Sequence, residues 1–587
     1  MNNNQIASLF REIAAAYGIK DEKKFYFQML AYQKAADAIE QSTSEAKDLY
    51  DEGKLEELPG IGKTIALRLE ELFKTGKVKH FAEIKKGIPE GVFPLLQVPK
   101  IGPKTAFKLV TILKLKNPQT VIYDLEKGAK LGKIAKIPTF GTKSQEEILN
   151  ALAQYREGRT KSARMVLPFA YEIAGKVIDY MKKCKAVKQI ETLGSLRRMV
   201  ATIGDIDLAV ASHNPKEVIS WFGKYPYKER IIEAGPETSS FLTSGGKQVD
   251  LMVQPPEGFG ALLQHFTGSK EHNIRLRTYA LSKGLSLSEH GIKKGLKSYQ
   301  IPTEEEFYET IGMQWIPPEM REDKGEIELA VKRELPKLVE LKDIKGDLHT
   351  HSSFNIEPSH DLGGNSIPEM AQKAKSLGYE YLGLAEHNPS ITNHTPEQNY
   401  HLILKRNNEI DRVEKTEKVH LFKLLEIDIL ADGQLALDEK SLSLLDGAIA
   451  SVHSSFTQPK AKITERILKS LSHPKVRILG HPTGRLLNQR ESLDADWPQI
   501  FKFCKEHNKA LEINAWPNRL DLPDTLVRQA LKAGVKIIID TDSHAMDQLA
   551  VMKFGVAVAR RGWATAKDIV NTQSYEKFRQ WLLYNQV

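Results

Sequence analysis

The feature that most constrains the fold is a repeated pattern in the C-terminal half, where short apolar segments alternate with stretches of helical character. Six of the apolar segments read YEYLGLAEH, KLLEIDIL, DGAIASVH, VRILGH, ALEINA and KIIIDTDSH, and polar or histidine residues stand at their carboxyl ends. Strands that alternate with helices form parallel sheets, whose carboxyl ends meet at one edge. The pattern therefore predicts a distorted (β/α)7-like barrel with its functional site at that edge.

The polar residues at these strand ends are of the types that bind metal ions. In GDLHTHSSF, two histidines at positions i and i+2 share one face of a strand. The full set of predicted ligands is His349, His351, His387, Glu426, His453, His481, Asp542 and His544. A single histidine is usually an ordinary polar residue, whereas eight residues of ligand type at successive strand ends predict a metal centre.

The ligand types leave the identity of the metal open. Mixed imidazole and carboxylate ligation admits zinc, manganese or iron, and Glu426 or Asp542 could bridge two or three ions. A centre of this kind activates water and neutralises a phosphate, so phosphoester hydrolysis is the chemistry that we expect.

Charge and histidine are distributed differently in the two halves of the chain. Residues 1–345 contain 54 Lys and Arg against 45 Asp and Glu, whereas residues 346–587 contain 30 of each. Within residues 101–200 the counts are 20 and 8. Such a basic region attracts a polyanion and releases its counterions, although a solvated basic face is the alternative interpretation. Because 12 of the 17 histidines follow residue 346, two functional halves are expected.

Three similar phrases in the basic half predict contacts with a DNA backbone. They read LPGIGKTIALRL, VPKIGPKTAFKL and IPTFGTKSQEEIL, each with a glycine and a lysine ahead of a helix. Glycines allow close approach, and the amides at a helix N-terminus suit a phosphate. The predicted DNA-binding residues are Gly60, Gly62, Lys63, Gly102, Lys104, Gly141 and Lys143. An ordinary helical hairpin with a glycine turn is the alternative for any single copy.

The stretch GSLRRMVATIGDIDL places two aspartates, Asp205 and Asp207, one residue apart in an apolar run. On a strand they point to the same face, and Asp250 in KQVDLMV provides a third carboxylate. Three converging carboxylates predict a site for two Mg²⁺ ions, and the arginines of GSLRR suit a triphosphate. A single aspartate could instead be a solubilising charge on an edge strand.

These phrases, together with HFTGSKEHNIRLR, resemble the palm and thumb of family X DNA polymerases over about residues 1–315. The resemblance implies that Asp205 and Asp207 bind both metals and that Asp250 assists the primer 3′-hydroxyl. It also implies that Asn273 lies beside the nucleotide and that Arg277 contacts the template side. The complete set of implied nucleotide-binding residues is Gly194, Ser195, Arg198, Gly204, Asn273 and Arg277.

Two positions depart from the pattern of this family. Arg68 stands where members with 5′-deoxyribose phosphate lyase activity have a nucleophilic lysine, and arginine stays protonated. Lys63 is nearby, but strong lyase activity is not expected. His265 stands where a tyrosine helps to exclude ribonucleotides in related enzymes, so this residue leaves sugar selection open.

The C-terminal series resembles the PHP (polymerase and histidinol phosphatase) domain over about residues 344–580. The resemblance implies a 3′-to-5′ exonuclease and related processing of DNA ends, with Mn²⁺ or Zn²⁺ in the site. The family usually has a Ser-Asp-Gly turn where this chain reads FNIEPSHDLGGNS, so Asp361 and His360 are rival ligand candidates. Glu386 also replaces the usual aspartate before His387.

We therefore expect a multidomain α/β protein with helix-hairpin-helix domains, a nucleotidyltransferase-type α+β palm and thumb, and the C-terminal barrel. The predicted domains are a helical N-terminal domain (1–90), a second helical domain or fingers (91–160), the palm (161–255), the thumb (256–317), an acidic linker (318–343) and the PHP domain (344–587).

The expected function is a DNA-directed DNA polymerase that fills short gaps in base excision repair, with 3′-to-5′ exonuclease activity in the PHP domain. Its expected partners are gapped duplex DNA and dNTPs. Two alternatives are a small-molecule phosphatase tethered to nucleic acid by the N-terminal half and a noncatalytic DNA-end scaffold.

The sequence also predicts a cytoplasmic, nucleoid-associated monomer without membrane contact. The two cysteines, Cys184 and Cys504, are far apart in the chain, which fits a reducing compartment. There is no signal-peptide pattern at the N-terminus and no apolar run of 18 residues.

Overall fold

The computed structural model describes residues 3–40, 46–51, 55–57, 61–98, 101–115, 117–138, 140–156, 164–243, 247–488 and 490–583. They form two compact units. The first comprises residues 1–165, 224–233 and 240–249, and the second comprises residues 166–223, 234–239 and 250–587. Within the described part of the chain, no helix is long and apolar enough to cross a membrane.

The N-terminal part of the first unit is helical, as the sequence predicts. Its helices are α1 (Asn3–Asp21), α2 (Tyr26–Glu40), α3 (Ala46–Asp51), α4 (Lys63–Thr75), α5 (Lys79–Lys85), α6 (Val92–Leu95), α7 (Pro103–Leu113), α8 (Val121–Lys130) and α9 (Thr142–Arg156). The ring of Phe10 packs edge-on against Tyr32 and Phe81, with centroids 5.4 and 5.9 Å away. A second core forms around Val92, Leu109 and other residues of α6 to α9.

The palm is an α+β structure built around a five-stranded sheet. Its elements are β1 (Met165–Val166), α10 (Leu167–Met181), β2 (Gln189–Thr192), α11 (Gly194–Arg197), β3 (Thr202–Ile203), β4 (Ile206–Ala211), α12 (Pro215–Phe222), β5 (Lys228–Ala234), β6 (Thr238–Thr243) and β7 (Gln248–Gln254). The strand order is β2-β4-β7-β6-β5, with β2 antiparallel to β4. The end of β2 therefore meets the start of β4, and β4 lies beside β7.

The thumb follows the palm and continues into the segment predicted as a linker. Its elements are α13 (Phe259–Thr267), α14 (Lys270–Ser282), β8 (Leu285–Ser288), β9 (Gly291–Lys294), β10 (Lys297–Tyr299), α15 (Glu304–Thr310) and α16 (Glu326–Lys332), with β8, β9 and β10 in one antiparallel sheet. Met320, Ile327 and Leu338 of residues 318–343 are buried against the thumb core. The segment is therefore folded. Its acidic composition does not reveal this, because composition does not show that two carboxylates of residues 303–343, Glu304 and Glu326, are buried.

The C-terminal part of the second unit is the predicted barrel of parallel strands. Its elements are β11 (Gly346–Thr350), α17 (Ile367–Ser376), β12 (Tyr381–Leu384), α18 (Pro396–Glu417), β13 (His420–Lys423), β14 (Glu426–Asp428), α19 (Glu439–Leu442), β15 (Ala448–Ser451), α20 (Lys460–Leu471), β16 (Val476–Leu479), α21 (Trp497–Glu506), β17 (Ala510–Asn514), α22 (Asp524–Ala533), β18 (Lys536–Asp540), α23 (Met552–Arg561) and α24 (Tyr575–Leu583).

The barrel closes where its two parallel sheets meet. The first sheet has the order β11-β12-β13 and the second has the order β14-β15-β16-β17-β18. Single bridges join them, one between His387 and Glu426 and the other between Thr350 and Ser543. Strand β14 begins three residues after β13 ends, so β13 and β14 together occupy one strand position. The eight strands β11 to β18 therefore form a seven-stranded barrel that is distorted where β13 bends into β14.

A buried ion-pair cluster fixes the thumb core. Glu304 is 3% exposed and accepts hydrogen bonds from Arg197, with its two bonds at 2.9 and 2.6 Å, and from Arg321 at 2.6 Å. Burial raises the pKa of Glu304, but the charges of Arg321 and Arg197 outweigh that effect and lower it to about 2. The carboxylate therefore stays ionised and holds two arginines in place.

We expect Glu304→Gln to lower the free energy of unfolding of the second unit by about 3–5 kcal/mol, because it leaves two arginines without their shared buried charge. The neighbouring exposed Glu305→Gln should change it by less than about 0.5 kcal/mol. Urea unfolding followed by circular dichroism measures both values. Equal midpoints for the two variants would contradict a stabilising role of the cluster.

Candidate active sites

Three palm carboxylates converge as the sequence predicts. Asp207 lies in β4 and Asp250 in the adjacent β7, and ligand oxygens of Asp205, Asp207 and Asp250 lie within 4.8 Å of one another. The spacing of the two aspartates predicted that Asp205 would also lie on the strand. Asp205 instead immediately precedes β4 and is exposed. The carboxylates still meet, because the chain enters β4 alongside β7.

The close approach of these groups changes the acidity of Asp207. Burial, followed by the charges of Asp205 and Asp250, raises the pKa of Asp207 to about 7, and only Arg198 opposes the shift. Three acidic groups whose full ionisation is favoured by a nearby cation form a site suited to divalent metal ions.

Gly194 brings the GSLRR segment against the carboxylates. Its φ is +55°, and a Cβ atom there would lie 2.5 Å from Oδ2 of Asp207. The backbone N–H of Leu193 also donates to the carbonyl of Asp207 at 2.8 Å. The segment forms one turn of helix, α11, which begins at Gly194 and contains Ser195. Only glycine allows this approach at position 194.

The two arginines of GSLRR have different surroundings. Arg197 is committed to Glu304, whereas Arg198 acts electrostatically on Asp207. Nε of Arg198 donates to Glu322 Oε1 at 3.1 Å, and Nη1 donates to the carbonyl of Thr267. Of the two arginines, Arg198 is therefore the one whose charge acts on the carboxylates.

Asn273 and Arg277, two of the remaining predicted nucleotide-binding residues, lie together on thumb helix α14. Nδ2 of Asn273 donates to the carbonyl of His265 at 2.7 Å, and Arg277 lies 3.3 Å from Nδ1 of His265. Burial, more than any neighbouring charge, lowers the pKa of His265. Gly204 is exposed in the turn before β4.

The described hairpin residues lie in the first unit, with the glycines just before helices and the lysines in the first turns of those helices. Gly62 and Gly102 are the extended N-caps of α4 and α7, and Gly141 directly precedes α9. Lys63, Lys104 and Lys143 are exposed, and Lys104 pairs with Glu22 at 2.5 Å. Gly60 lies outside the described residues. Arg68 of α4 lies 3.6 Å from Glu71.

The C-terminal edge of the barrel gathers all eight predicted ligands. Four overlapping groups have ligand atoms within 4.8 Å of one another: His349, His351, Glu426 and Asp542; His351, His387 and His544; Glu426, His453 and His481; and His360, His387 and His453. Glu426 is central, with Oε2 3.0 Å from His387 and 3.2 Å from His349 and Oε1 2.8 Å from His481.

Electrostatics and unpaired atoms indicate that this cluster fits metal ions. Burial opposes ionisation of Glu426, but His349, His387 and His453 outweigh it and hold its pKa well below the usual range. Burial and Arg519 lower the pKa of His481 to about 4. The buried atoms without a hydrogen-bond partner include His349 Nε2, His351 Nδ1 and Nε2, His387 Nδ1, His481 Nδ1, His544 Nε2 and Glu426 Oε2. These inward-facing lone pairs match the ligand atoms that a metal centre requires.

The two rival candidates approach different parts of the cluster. Asp361 places Oδ1 3.4 Å from His387 and Oδ2 3.7 Å from His544. His360 instead donates to Asp428 at 3.1 Å, the same oxygen that accepts from His453 at 2.6 Å. Asp361 and His360 therefore both lie near predicted ligands, at different parts of the cluster.

Glu386, a departure from the family pattern, faces away from the ligands. It accepts a hydrogen bond from Nε of buried Arg406 at 2.6 Å and from the backbone N–H of Ser352 at 3.1 Å. The substituted carboxylate thus holds the loop after β11 against α18, while its neighbour His387 turns into the cluster.

Two supporting residues were missed by the sequence reasoning. Glu512 accepts a hydrogen bond from Nδ1 of His349 at 2.6 Å, which orients that imidazole with Nε2 towards Glu426. Nε of Arg519 lies 3.5 Å from Oδ2 of Asp542, and Nη1 of Arg519 is buried without a hydrogen-bond partner. Nε of Arg485 donates to the carbonyl of Arg519 at 2.9 Å. Their only sequence signals are a strand position in ALEINA and a basic residue in WPNRLDLP.

Comparison with known proteins identifies three segments of the chain. Residues 1–78 match the helix-hairpin-helix domain, residues 262–322 match the DNA polymerase beta thumb, and residues 347–515 match the PHP domain. The three matches occur in the same order as the helical unit, the thumb and the barrel.

Relatives cover the whole chain and each of its halves. The chain is 33% identical over 594 residues to DNA polymerase/3'-5' exonuclease PolX of Bacillus subtilis, covering 100% of both proteins. It is 24% identical to DNA polymerase lambda of Arabidopsis thaliana over 54% of this chain and 62% of that protein. It is 25% identical to a probable phosphatase of Caldicellulosiruptor saccharolyticus over 32% of this chain and 76% of that protein.

Both resemblances predicted from the motifs are confirmed by these matches. The similarity to PolX extends over the full length of this chain, so it covers both the palm with its carboxylates and the histidine-rich barrel. The chain therefore belongs to the family X DNA polymerases that carry a C-terminal PHP domain.

Proposed function

We propose that this DNA polymerase fills short gaps in repair and that its PHP domain trims DNA 3′ ends. The observation that carries the proposal is that ligand oxygens of Asp205, Asp207 and Asp250 lie within 4.8 Å of one another, where the charge of Arg198 acts on Asp207. A noncatalytic scaffold has no need to hold three carboxylates together, because their mutual repulsion is costly.

In the palm, the three aspartates would hold two Mg²⁺ ions, and Asp250 would lie nearest the primer 3′-hydroxyl. Such ions supply positive charge that activates an attacking oxygen and stabilises the departing pyrophosphate. Arg198 and the N-terminal turn of α11 would bind the triphosphate. Asn273 and His265 would face the sugar of the incoming nucleotide, where His265 replaces the family's tyrosine.

In the barrel, the histidine and carboxylate cluster would hold two or three Mn²⁺ or Zn²⁺ ions. Glu512 would keep His349 oriented for ligation, and Asp428 would do the same for His453 through Nδ1. The buried and unpartnered Nη1 of Arg519 would donate to an oxygen of the scissile phosphate.

The substrates that we propose are a gapped duplex, gripped by the hairpin lysines of the first unit, and dNTPs. We also propose that the protein acts as a monomer at DNA in the cytoplasm. The buried free thiols of Cys184 and Cys504 support a reducing compartment.

A tethered small-molecule phosphatase remains the alternative to test, because a protein named as a probable phosphatase matches part of the barrel. The two functions differ in substrate: a phosphatase would release phosphate from a small ester, whereas the nuclease would release nucleotides from a labelled primer.

We expect Asp205→Ala/Asp207→Ala to lose primer extension by at least about 100-fold and to keep 3′ shortening. His349→Ala/His351→Ala should show the reverse, since each pair holds only its own metals. The measurement is a gel assay on a one-nucleotide gapped duplex with labelled primer, Mg²⁺ or Mn²⁺, with and without dNTPs. Absence of extension by the unaltered protein would overturn the polymerase proposal, and small phosphate esters would become the next substrates.

Metal binding in the palm should depend on pH because Asp207 has a pKa of about 7. A cation binds the carboxylate form, so Mg²⁺ should displace about 0.9 proton from Asp207 at pH 6 and about 0.1 at pH 8. Calorimetric titrations in two buffers of different ionisation enthalpy count these protons. Asp207→Asn is the control, and equal proton release by both proteins at pH 6 would contradict the assignment.

We expect Arg519→Ala to lower exonuclease kcat/KM by about 10–100-fold, because it removes a charged hydrogen bond to the substrate phosphate. Arg519→Lys should recover part of that loss. Elemental analysis of bound Mn²⁺ is the control, since Arg519 also lies near Asp542. A parallel loss of metal and activity would show that Arg519 supports the ligand instead.

A further inference from the structure

A helix of the PHP domain ends against the nucleotide-binding segment of the palm. The last residue of α23, Arg561, is 9% exposed, and its Nη1 donates to the carbonyl of Arg198 at 2.8 Å. The same nitrogen donates to Glu322 Oε1 at 2.9 Å, and the other side of the guanidinium pairs with Asp524 at 2.8 and 2.9 Å.

Arg561 and Arg198 share one carboxylate oxygen. Oε1 of Glu322 accepts from Nε of Arg198 at 3.1 Å as well as from Arg561. Two cations, Arg198 and Arg561, are thus balanced by two anions, Glu322 and Asp524. Arg198 is held by its side chain through Glu322 and by its main chain through Arg561.

This sharing affects the charge that Arg198 presents to a nucleotide. If Arg561 were absent, Glu322 would be left to Arg198 alone and would compete more strongly with a triphosphate for that guanidinium. The carbonyl of Arg198 would also lose a hydrogen bond that fixes the residue after α11. Both effects weaken nucleotide binding without altering the carboxylates that hold the metals.

We propose that Arg561 of the PHP domain is a positioning residue for the incoming dNTP in the polymerase site, acting through Glu322 and the main chain of Arg198. The inference rests on the proposed role of Arg198 in binding the triphosphate. It makes the PHP domain part of the polymerase nucleotide site in addition to being a nuclease.

The neighbouring arginine provides a matched control. Arg560 also joins α23 to the segment after the thumb, with a 2.7 Å bond to Glu319 and a 3.1 Å bond to the carbonyl of Val339. None of the bonds described for it reaches Arg198 or Glu322. Loss of Arg560 removes one ion pair of the same kind from this part of the structure and leaves the nucleotide segment intact.

The test is single-nucleotide insertion into a gapped duplex by the full chain, with KM for dNTP and kcat measured separately. We expect Arg561→Ala to raise KM about tenfold, with kcat changed less than about twofold, because Glu322 would then compete more strongly with the triphosphate for Arg198, which weakens ground-state binding. Arg561→Lys should recover part of the loss, Arg560→Ala should leave KM unchanged, and exonuclease activity should persist in all three.

A double-mutant cycle separates positioning from loosening of the interface. If Arg561 acts through Glu322, the effects of Arg561→Ala and Glu322→Ala on KM will not multiply when the two are combined. Equal KM values for Arg561→Ala and Arg560→Ala, or a parallel fall in kcat and exonuclease activity, would overturn the proposal.

Arg198→Ala distinguishes failure of this inference from failure of the function on which it rests. If Arg198→Ala raises KM and Arg561→Ala does not, only the positioning role of Arg561 is wrong. If Arg198→Ala leaves KM unchanged, the assignment of Arg198 to the triphosphate is wrong and the inference fails with it.

Discussion

Compensation of converging like charge is the constraint on which both sites depend. In the palm, burial and the charges of Asp205 and Asp250 raise the pKa of Asp207 to about 7, so a cation beside the three carboxylates favours their full ionisation near neutral pH. In the barrel, the buried carboxylate of Glu426 is held ionised by surrounding imidazoles. The fold therefore brings carboxylates together in the palm and buries a carboxylate among imidazoles in the barrel. Each cluster is suited to metal ions and so to phosphate chemistry.

Two other buried carboxylates of the second unit are paired by arginines instead. Glu304 joins two arginines in the thumb core, and Glu386 ties the loop after β11 to Arg406. The distinction between these carboxylates and those of the sites lies in their partners. A carboxylate satisfied by arginine has no ligand atom to spare, whereas Glu426 retains an unpaired oxygen among histidines.

The same principle explains the departures from the family patterns. Glu386 can replace an aspartate because it bonds outward to Arg406, so the adjacent His387 keeps its position in the cluster. The segment between thumb and barrel folds although it is acidic, because Glu326 is buried against His272 at 2.7 Å. Sequence composition alone had indicated an acidic, helical linker, since it records charge and not pairing.

The sequence by itself determined the elements and the reactive residue types. Alternating apolar segments predicted parallel strands, and the positions of His349 and Asp542 at strand ends predicted a shared edge, because those relations are local. Only the tertiary structure decided that Glu512 orients His349, that Arg519 is buried at Asp542, and that Arg561 meets Arg198. These contacts join residues up to 363 positions apart, so they depend on how packed elements meet and leave no periodic signal in the chain.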